Sequence, residues 1–564
     1  MANSSAAIAT AIGYLQAGQF AAAEAALRQI LAAEPRQIDA LHLLGVAAHL
    51  TGNHQQAIES IGRAIRLNGR VAAFHNNLGE AQRALNRLPE AVASYRRALQ
   101  LQRNYPDAHN NLGAALAGQG KPDEAIACFR QALRQKPQYA EAHNNLGNAW
   151  RDQGKLRDAV ASYLRALDAR PNYALALYNL GSAYHQLGEL DQAVDCLRRA
   201  VELKPDFAAA LNNLGNALTD RGDLAEATPC YAKAIELEPD FAEARVGRAV
   251  AILLHGDWRS GWDDYEYRLR LAPTVSRIAL RSPWRGEPLA GKTILLRAEQ
   301  GLGDTIQFIR YARQLQRAGA RVALECQPGL LPLLQTCSDV DAFVRASDPA
   351  PEFDFDAALA SLPGLLKTAV EDIPASVPYL AADSGLVEQW SRRLAGVDGL
   401  KVGVAWQGNR SYPRDRYRSI PLREFAPLSR APGAQLISLQ KGPGAEQLRE
   451  VDFPILDLAA ELDLNAAAFV DTAAVMMSLD LVVTSDTSLA HLAGALGRPV
   501  WVALPVAPDW RWLLGRADSP WYPTMRLFRQ ALVGDWAGPF EQIRAALLQF
   551  QPTLPQPEAA APHG

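Results

Sequence analysis

The N-terminal half of the chain repeats itself every 34 residues, and a period of that length dictates a stack of helical hairpins. Gly45, Gly79, Gly113, Gly147, Gly181 and Gly215 keep the step, each following a leucine. Gly18, Gly52, Asn86, Gly120, Gly154, Gly188, Gly222 and Gly256 keep it as well, and so do alanines at 98, 132, 166, 200 and 234. Pro35, Pro137, Pro171, Pro205 and Pro239 form a further series, with Gly69 and Arg103 in the two places that lack proline. The first glycine and the alanine are small where two helices of a hairpin cross closely. The second glycine, or Asn86, suits the left-handed residue that ends a helix. The proline stops the following helix and turns the chain. Such hairpins bury a core only against their neighbours, so the array stacks and presents a concave face.

This pattern resembles the tetratricopeptide repeat. The resemblance implies an α-solenoid over 4–275, with seven clean units to about residue 241 and a divergent eighth. In the eighth, Trp258, Trp262, Tyr265 and Tyr267 are expected to seal the end of the stack. Asn77, Asn111, Asn145, Asn179 and Asn213 make one more ladder on the first helix of successive units. An amide both donates and accepts hydrogen bonds, so such a column can hold the backbone of an extended peptide. Its resemblance to the asparagine ladder of O-GlcNAc transferase implies a protein or peptide partner on the concave face. The alternative is that Asn-Leu-Gly is simply the consensus of this repeat.

From about residue 292 the period changes. Short apolar runs at 293–298, 321–326, 401–406, 435–439, 481–485 and 499–504 read as strands, separated by helical stretches. Alternation of this kind predicts parallel sheets with crossover helices. We expect an α/β domain over 285–550 with Rossmann-like lobes at about 292–385 and 400–530, and a disordered tail at 551–564. On this division the chains 1–275 and 285–564 fold separately.

Two motifs carry the chemistry. Gly-Leu-Gly-Asp-Thr (301–305) follows the first strand, and SDTSLAHLAGALGRPVWV (485–502) runs from a strand through a helix to the next strand. In this order they resemble glycosyltransferase family 9, the heptosyltransferase-like family. That implies a GT-B arrangement and an inverting transfer from a nucleotide-diphosphate sugar, with no metal and no further cofactor. By resemblance Asp304 is the general base, and Gly303 beside it belongs to the donor site. Asp486 contacts the sugar, Thr487 and Ser488 hold the phosphates, and His491 lines the cleft. The family often has glycine where Ser488 stands. A helix N-terminus with free N–H groups is a natural diphosphate site on any account. Asn409, Arg418 and Lys441 complete the expected donor set, with Arg414 and Arg416 on the same loop. Against these stand plain structural readings: Asp304 and Gln307 have the spacing of a helix-capping box, and His491 can be a satisfied histidine at the cleft wall. Asp354-Phe355-Asp356 mimics a metal motif but reads as an exposed strand edge, and Trp510, Trp512, Trp521 and Tyr522 read as packing.

Composition narrows the remaining classes. Lys and Arg number 57 against 60 Asp and Glu, a formal net charge of -3, which offers no basic excess for nucleic acid. The five cysteines form no Cys-x-x-Cys pair, so neither a zinc site nor a disulfide framework is expected. The N-terminus lacks a basic leader, and the most apolar stretch, 480–506, is broken by Asp486, His491, Arg498 and Pro499. We therefore expect no membrane span and a cytoplasmic location. Two other functions fit the same residues: a repeat scaffold whose transferase-like domain is inactive, and a protein glycosyltransferase of the O-GlcNAc transferase type.

Overall fold

The computed structural model describes residues 2–271, 278–345, 351–412, 414–464 and 467–551, so the tail expected at 551–564 lies outside it from residue 552 on. The chain forms two compact units, Met1–Ala210 and Leu211–Gly564.

The first unit is a tetratricopeptide solenoid of six helical hairpins, from Ala2–Gln16 with Phe20–Ala33 to Ala174–Leu187 with Leu190–Leu203. The glycine ladder is explained by what faces it. A Cβ on Gly147 would lie 2.4 Å from Tyr163, and one on Gly79 or Gly113 2.6 Å from Tyr95 or Phe129. In these three hairpins the second helix presses a ring into a notch in the first, and in two others Ile61 and Leu197 fill the notches at Gly45 and Gly181. At the turn between helices, Gly154 (φ 74°) and Asn86 (φ 56°) take the left-handed conformation that the 34-residue series requires.

The second unit begins with two more hairpins, Ala208–Arg221 with Leu224–Leu237 and Ala242–His255 with Trp258–Tyr265. Two sheets follow. The first contains β1 (Thr293–Arg297), β2 (Arg321–Glu325), β3 (Ala342–Val344) and β4 (Phe355–Ala358), in the order β3-β2-β1-β4. The second contains β5 (Leu400–Ala405), β6 (Ala434–Ser438), β7 (Leu456–Asp457), β8 (Leu481–Ser485), β9 (Val500–Leu504) and β10 (Met525–Arg529), in the order β10-β9-β8-β5-β6-β7. Every ladder is parallel. The winding reverses between β1 and β4 and again between β5 and β8, and ligands of open α/β sheets bind at such switch points. The connector near 373–385 leads into helix Ser384–Arg393, tied to the second lobe by Trp390 Nε1 donating to Asp471 at 3.0 Å. The closing helix Ala537–Leu547 packs on that lobe too, Phe540 against Phe425 at 4.5 Å between ring centres.

Two expectations are corrected. The division of the chain does not fall at 275–285: the compact units meet at Ala210 and Leu211, and repeats seven and eight belong with the sheets. The cause is aromatic. Trp258, Trp262 and Tyr265 do not merely cap the helical stack; they share one core with Phe308, Trp510 and Trp521. Trp258 lies 5.5 Å from Trp510 and 5.4 Å from Trp521, ring centre to ring centre. Arg268, just beyond these rings, is buried and paired with buried Glu299 at 3.0 Å. The second correction concerns Asp356, which is no exposed strand edge. It is buried, and its carboxylate accepts from the Arg281 and Ser282 N–H groups at 2.8 and 2.9 Å. Asp354 pairs with Lys292 at 2.9 Å.

A chain starting at residue 285 would uncover Trp510 and Trp521 and leave Glu299 without Arg268. Removing one partner of a buried pair costs about 3–5 kcal/mol. Residues 211–564 should therefore melt cooperatively as a monomer, while 285–564 should aggregate or melt at least 10 °C lower (about 1 kcal/mol shifts Tm by roughly 2–4 °C in a domain of this size). Equal melting of the two by calorimetry would show that the seam is dispensable.

Candidate functional site

At the carboxyl end of β1 the chain turns through Gly301 into helix Leu302–Phe308. Asp304 stands at its third position, and its Oδ2 accepts from the Gly301 N–H at 2.8 Å, which caps the helix. The other oxygen, Oδ1, is ion-paired with Arg511. The carboxylate keeps a quarter of its surface exposed, so it is held but not sealed.

The second motif comes to the same place. β8 ends at Ser485, Thr487 is extended as the N-cap (φ -137°, ψ 173°), and helix Ser488–Ala495 starts there. The two motif helices touch: a Cβ on Gly303 would lie 3.0 Å from His491 Cδ2 and 3.2 Å from Ser488 Cα. Gly303 is thus required by close approach of backbone to backbone. Asp486 and Thr487 are buried and Ser488 is half-buried. The Thr487 hydroxyl lies 3.3 Å from that of Thr484. Burial and the neighbouring Asp509 carboxylate push the Asp486 carboxyl up to about 6.

Loop residues 505–513, after β9, close the constellation, and the sequence reading passed over their charges. Arg511 is buried and donates through Nε to Gln307 at 2.6 Å and through Nη1 to Asp509 at 2.7 Å, besides pairing with Asp304. Its guanidinium lies 5.1 Å from the Phe308 ring centre and 4.6 Å from that of Trp510. Asp509 is driven up by burial, and Arg511 more than offsets this, leaving it below the usual carboxylate range. The signal was present in Asp-Trp-Arg-Trp (509–512), in the loop after a strand, where charges alternate with tryptophans.

The remaining predicted residues divide. Arg418 reaches the constellation: Nη1 donates to the Asp486 carbonyl at 3.0 Å, and the guanidinium covers Tyr412 at 4.5 Å. Arg414 lies beside it, donating to the Ala507 carbonyl at 3.1 Å. Lys441 does not: its ammonium is turned to the Leu462 and Asp463 carbonyls at 2.6 and 2.7 Å. Asn409 is exposed and folds back on its own loop, accepting from Ser411 N–H at 3.0 Å. His491 is buried, stacked on Trp512 at 5.2 Å, with Nδ1 3.0 Å from the Tyr522 hydroxyl. Burial, with Arg511 nearby, lowers its pKa to about 3, so the ring is neutral and part of the wall. The aromatic residues at 510, 512, 521 and 522 are fully buried packing, as expected.

In the first unit the asparagine ladder is an inter-repeat staple. Asn111, Asn145 and Asn179 each donate from Nδ2 to Asn76, Asn110 and Asn144 of the preceding repeat, at 3.2, 3.0 and 2.9 Å. Asn77 donates to His42 Nε2 at 2.9 Å. Asn213, in the second unit, accepts from Asn212 at 3.3 Å. Among the described residues no helix is long and apolar enough to cross a membrane, and no three His, Cys, Asp or Glu side chains gather to hold a metal ion.

Comparison with known proteins agrees with both halves. Tetratricopeptide repeat families match at 8–64, 79–120, 110–174, 162–195, 181–219 and 208–241. Glycosyltransferase family 9 (heptosyltransferase) matches at 444–504, which takes in the Asp486–His491 motif and leaves out the 301–305 turn. Protein FlbA of Caulobacter vibrioides is 28% identical over 322 residues, 51% of this chain and 52% of that protein, so the match spans about half the length of each. Among solved structures, MamA is 27% identical (TM-score 0.27), covering 28% of this chain and 94% of its own. YrrB, a TPR protein with an unusual peptide-binding site, is 25% identical (TM-score 0.29), covering 33% of this chain and 96% of its own.

Two buried groups make the site sensitive to pH in opposite senses. His491 has a folded pKa near 3, below its ordinary 6.5, so the unfolded chain takes the proton first. Its contribution is complete above pH 6.5 and is lost as pH falls toward 3. Asp486 has a folded pKa near 6, above its ordinary 3.8. Its contribution is complete below 3.8 and is lost as pH rises to 6. In urea unfolding between pH 4 and 7, His491→Gln should gain on the wild type as pH falls, and Asp486→Asn should gain as pH rises. Parallel profiles would mean that neither group is perturbed. The tetratricopeptide repeat families thus match along the helical hairpins, and the glycosyltransferase family 9 model matches a stretch of the second α/β sheet.

Proposed function

We propose that the chain is an inverting, metal-independent glycosyltransferase of GT-B type that uses a nucleotide-diphosphate sugar. The observation that carries this reading is the meeting of two motifs about 180 residues apart in sequence, at the carboxyl ends of two parallel sheets, with Gly303 against Ser488 and His491. The start of helix Ser488–Ala495 offers backbone N–H groups and the positive end of a helix dipole to the diphosphate. Arg418 and Arg414 stand beside it to neutralise the leaving group. The acceptor hydroxyl attacks the anomeric carbon from the face opposite the diphosphate. Its proton passes to Asp304 while the bond from the anomeric carbon to the phosphate oxygen breaks and the diphosphate departs with the electron pair. For Asp304 to take that proton, Arg511 must loosen its hold on Oδ1.

The repeat array, on this reading, recruits an acceptor protein or an assembly partner. Backbone recognition by the asparagine column would use the capacity left after each amide has donated to the preceding repeat. One observation favours the rival reading, a scaffold with an inactive domain. Both Asp304 oxygens are engaged, and Arg268 fills the switch point of the first sheet through Glu299 and Ser361. Donor hydrolysis separates the two readings.

Donor binding should persist in excess chelator and be read as a rise in Tm with nucleotide sugar. Thr487→Asp should abolish that rise by setting a second carboxylate beside the diphosphate; a rise that needs added metal would sink the metal-free reading.

Asp304→Asn tests the base, because asparagine caps a helix about as well as aspartate and cannot accept a proton. Turnover should fall roughly 100-fold or more with melting and donor affinity kept. An Asp304→Asn enzyme with full turnover on its acceptor would leave Asp304 as a cap alone.

A further inference from the structure

The donor loop is not held by its own lobe alone. Arg414 and Arg418 both lie on the segment that follows β5, where Tyr412, Arg414, Tyr417 and Arg418 line a small polar cavity with Asp486 and Asp509. Arg414 faces two ways. One Nη2 bond goes to the Ala507 carbonyl in the loop after β9, at 3.1 Å. The same guanidinium is ion-paired at 2.8 Å with Asp220, whose side chain is 7% exposed and belongs to the first helix of the seventh repeat. The turn that ends this helix bears on the opposite rim of the cavity. A Cβ on Gly222 would lie 2.9 Å from the Val506 side chain. The seventh repeat therefore touches both loops that bound the cavity, one through a charge and the other through van der Waals contact.

We propose that Asp220 is a positioning residue for the donor site, acting through Arg414 so that the repeat array sets the aim of the cation that meets the diphosphate. This rests on the donor reading given above. A flexible arginine side chain loses rotamer entropy when it meets a phosphate. Fixing it beforehand against a carboxylate and a carbonyl removes much of that loss at the moment of binding. The carboxylate also subtracts charge from Arg414, so pure electrostatics predicts the opposite sign: losing Asp220 would strengthen anion binding. The two accounts can be separated with two substitutions, because Asn keeps an accepting oxygen where Ala keeps none.

The experiment titrates UDP and GDP, separately, into the full chain and follows the tighter of the two. Asp220→Ala should weaken it about tenfold, Asp220→Asn should bind within about threefold of the wild type, and Arg414→Gln should make Asp220→Ala silent. Hydrogen exchange without ligand should show faster exchange at Tyr412, Asp415, Tyr417 and Ser419, whose amides hold the loop at 2.8–3.1 Å, in Asp220→Ala and not in Asp220→Asn. Tighter binding in both Asp220 variants, or additive effects of Asp220→Ala and Arg414→Gln, would overturn the proposal while leaving the donor site standing. No binding of either nucleotide by the wild type would overturn the donor reading itself, and this inference with it.

Discussion

A single aromatic seam governs the second unit. Trp258, Trp262 and Tyr265 come from the last hairpin of the repeats, Phe308 from the first sheet's motif helix, and Trp510 and Trp521 from loops of the second sheet. Rings from three sources meet at 5.4–6.4 Å, edge to face or tilted apart from the stacked pair Phe308 and Trp510, arrangements that aromatic quadrupoles favour. Such rings each remove on the order of 150–250 Å² from water. With that much apolar surface shared, neither lobe has a complete core of its own at this edge. The buried arginines then follow. Arg511, Arg310 and Arg268 lie 4.6, 5.5 and 4.5 Å from the ring centres of Trp510, Trp521 and Tyr265 and spend their N–H groups on the carboxylates, carbonyls and hydroxyls around the seam.

The repeats obey a simpler constraint. Six successive hairpins have a notch for the ring or branched side chain of the second helix, and there the notch needs a residue with no Cβ. Ile61, Tyr95, Phe129, Tyr163, Leu197 and Tyr231 fill the notches at Gly45, Gly79, Gly113, Gly147, Gly181 and Gly215. Polar staples supplement this. The paired asparagines of successive repeats bond to one another across the stack, which gives a half-buried amide column a structural reason to exist.

How much of this the sequence revealed depends on the range of the interaction. The solenoid was legible because its contacts lie within 34 residues and recur, so one physical rule prints itself many times. Strands β1, β2, β5, β6, β8 and β9 were legible as apolar runs, to within a residue or so. Strands β3, β4, β7 and β10 are two to five residues long, and all but the three-residue β3 are mixed in polarity, so nothing local marks them. The site was half legible for the same reason. Gly303, Asp304, Asp486 and Ser488 sit in local motifs, whereas Arg511 matters only because it meets Asp304 from 207 positions away. Lys441 was misplaced because a lysine after a strand reads as a free cation until the Leu462 and Asp463 carbonyls are seen around it. The expected division at 275–285 failed on the aromatic side chains. Their spacing on one helix predicted an apolar face and could not say which surface would cover it.

The charges at the site are arranged around Arg511 in a way that bears on any chemistry there. Asp304 and Asp509 share its guanidinium, and Asp486 stands within reach of Asp509. Arg511 is divided between two carboxylates, while Arg418 and Arg414 act on Asp486 and Asp509 from the other side. The field is settled by Asp509 staying ionised on Arg511 while Asp486 drifts up to about 6. On the donor reading proposed above, a diphosphate at the start of helix Ser488–Ala495 would add negative charge beside Asp486 and favour protonation of that carboxyl further. The same charge would attract Arg511, so the ion pair of Arg511 with Asp304 and the anion would compete for one guanidinium.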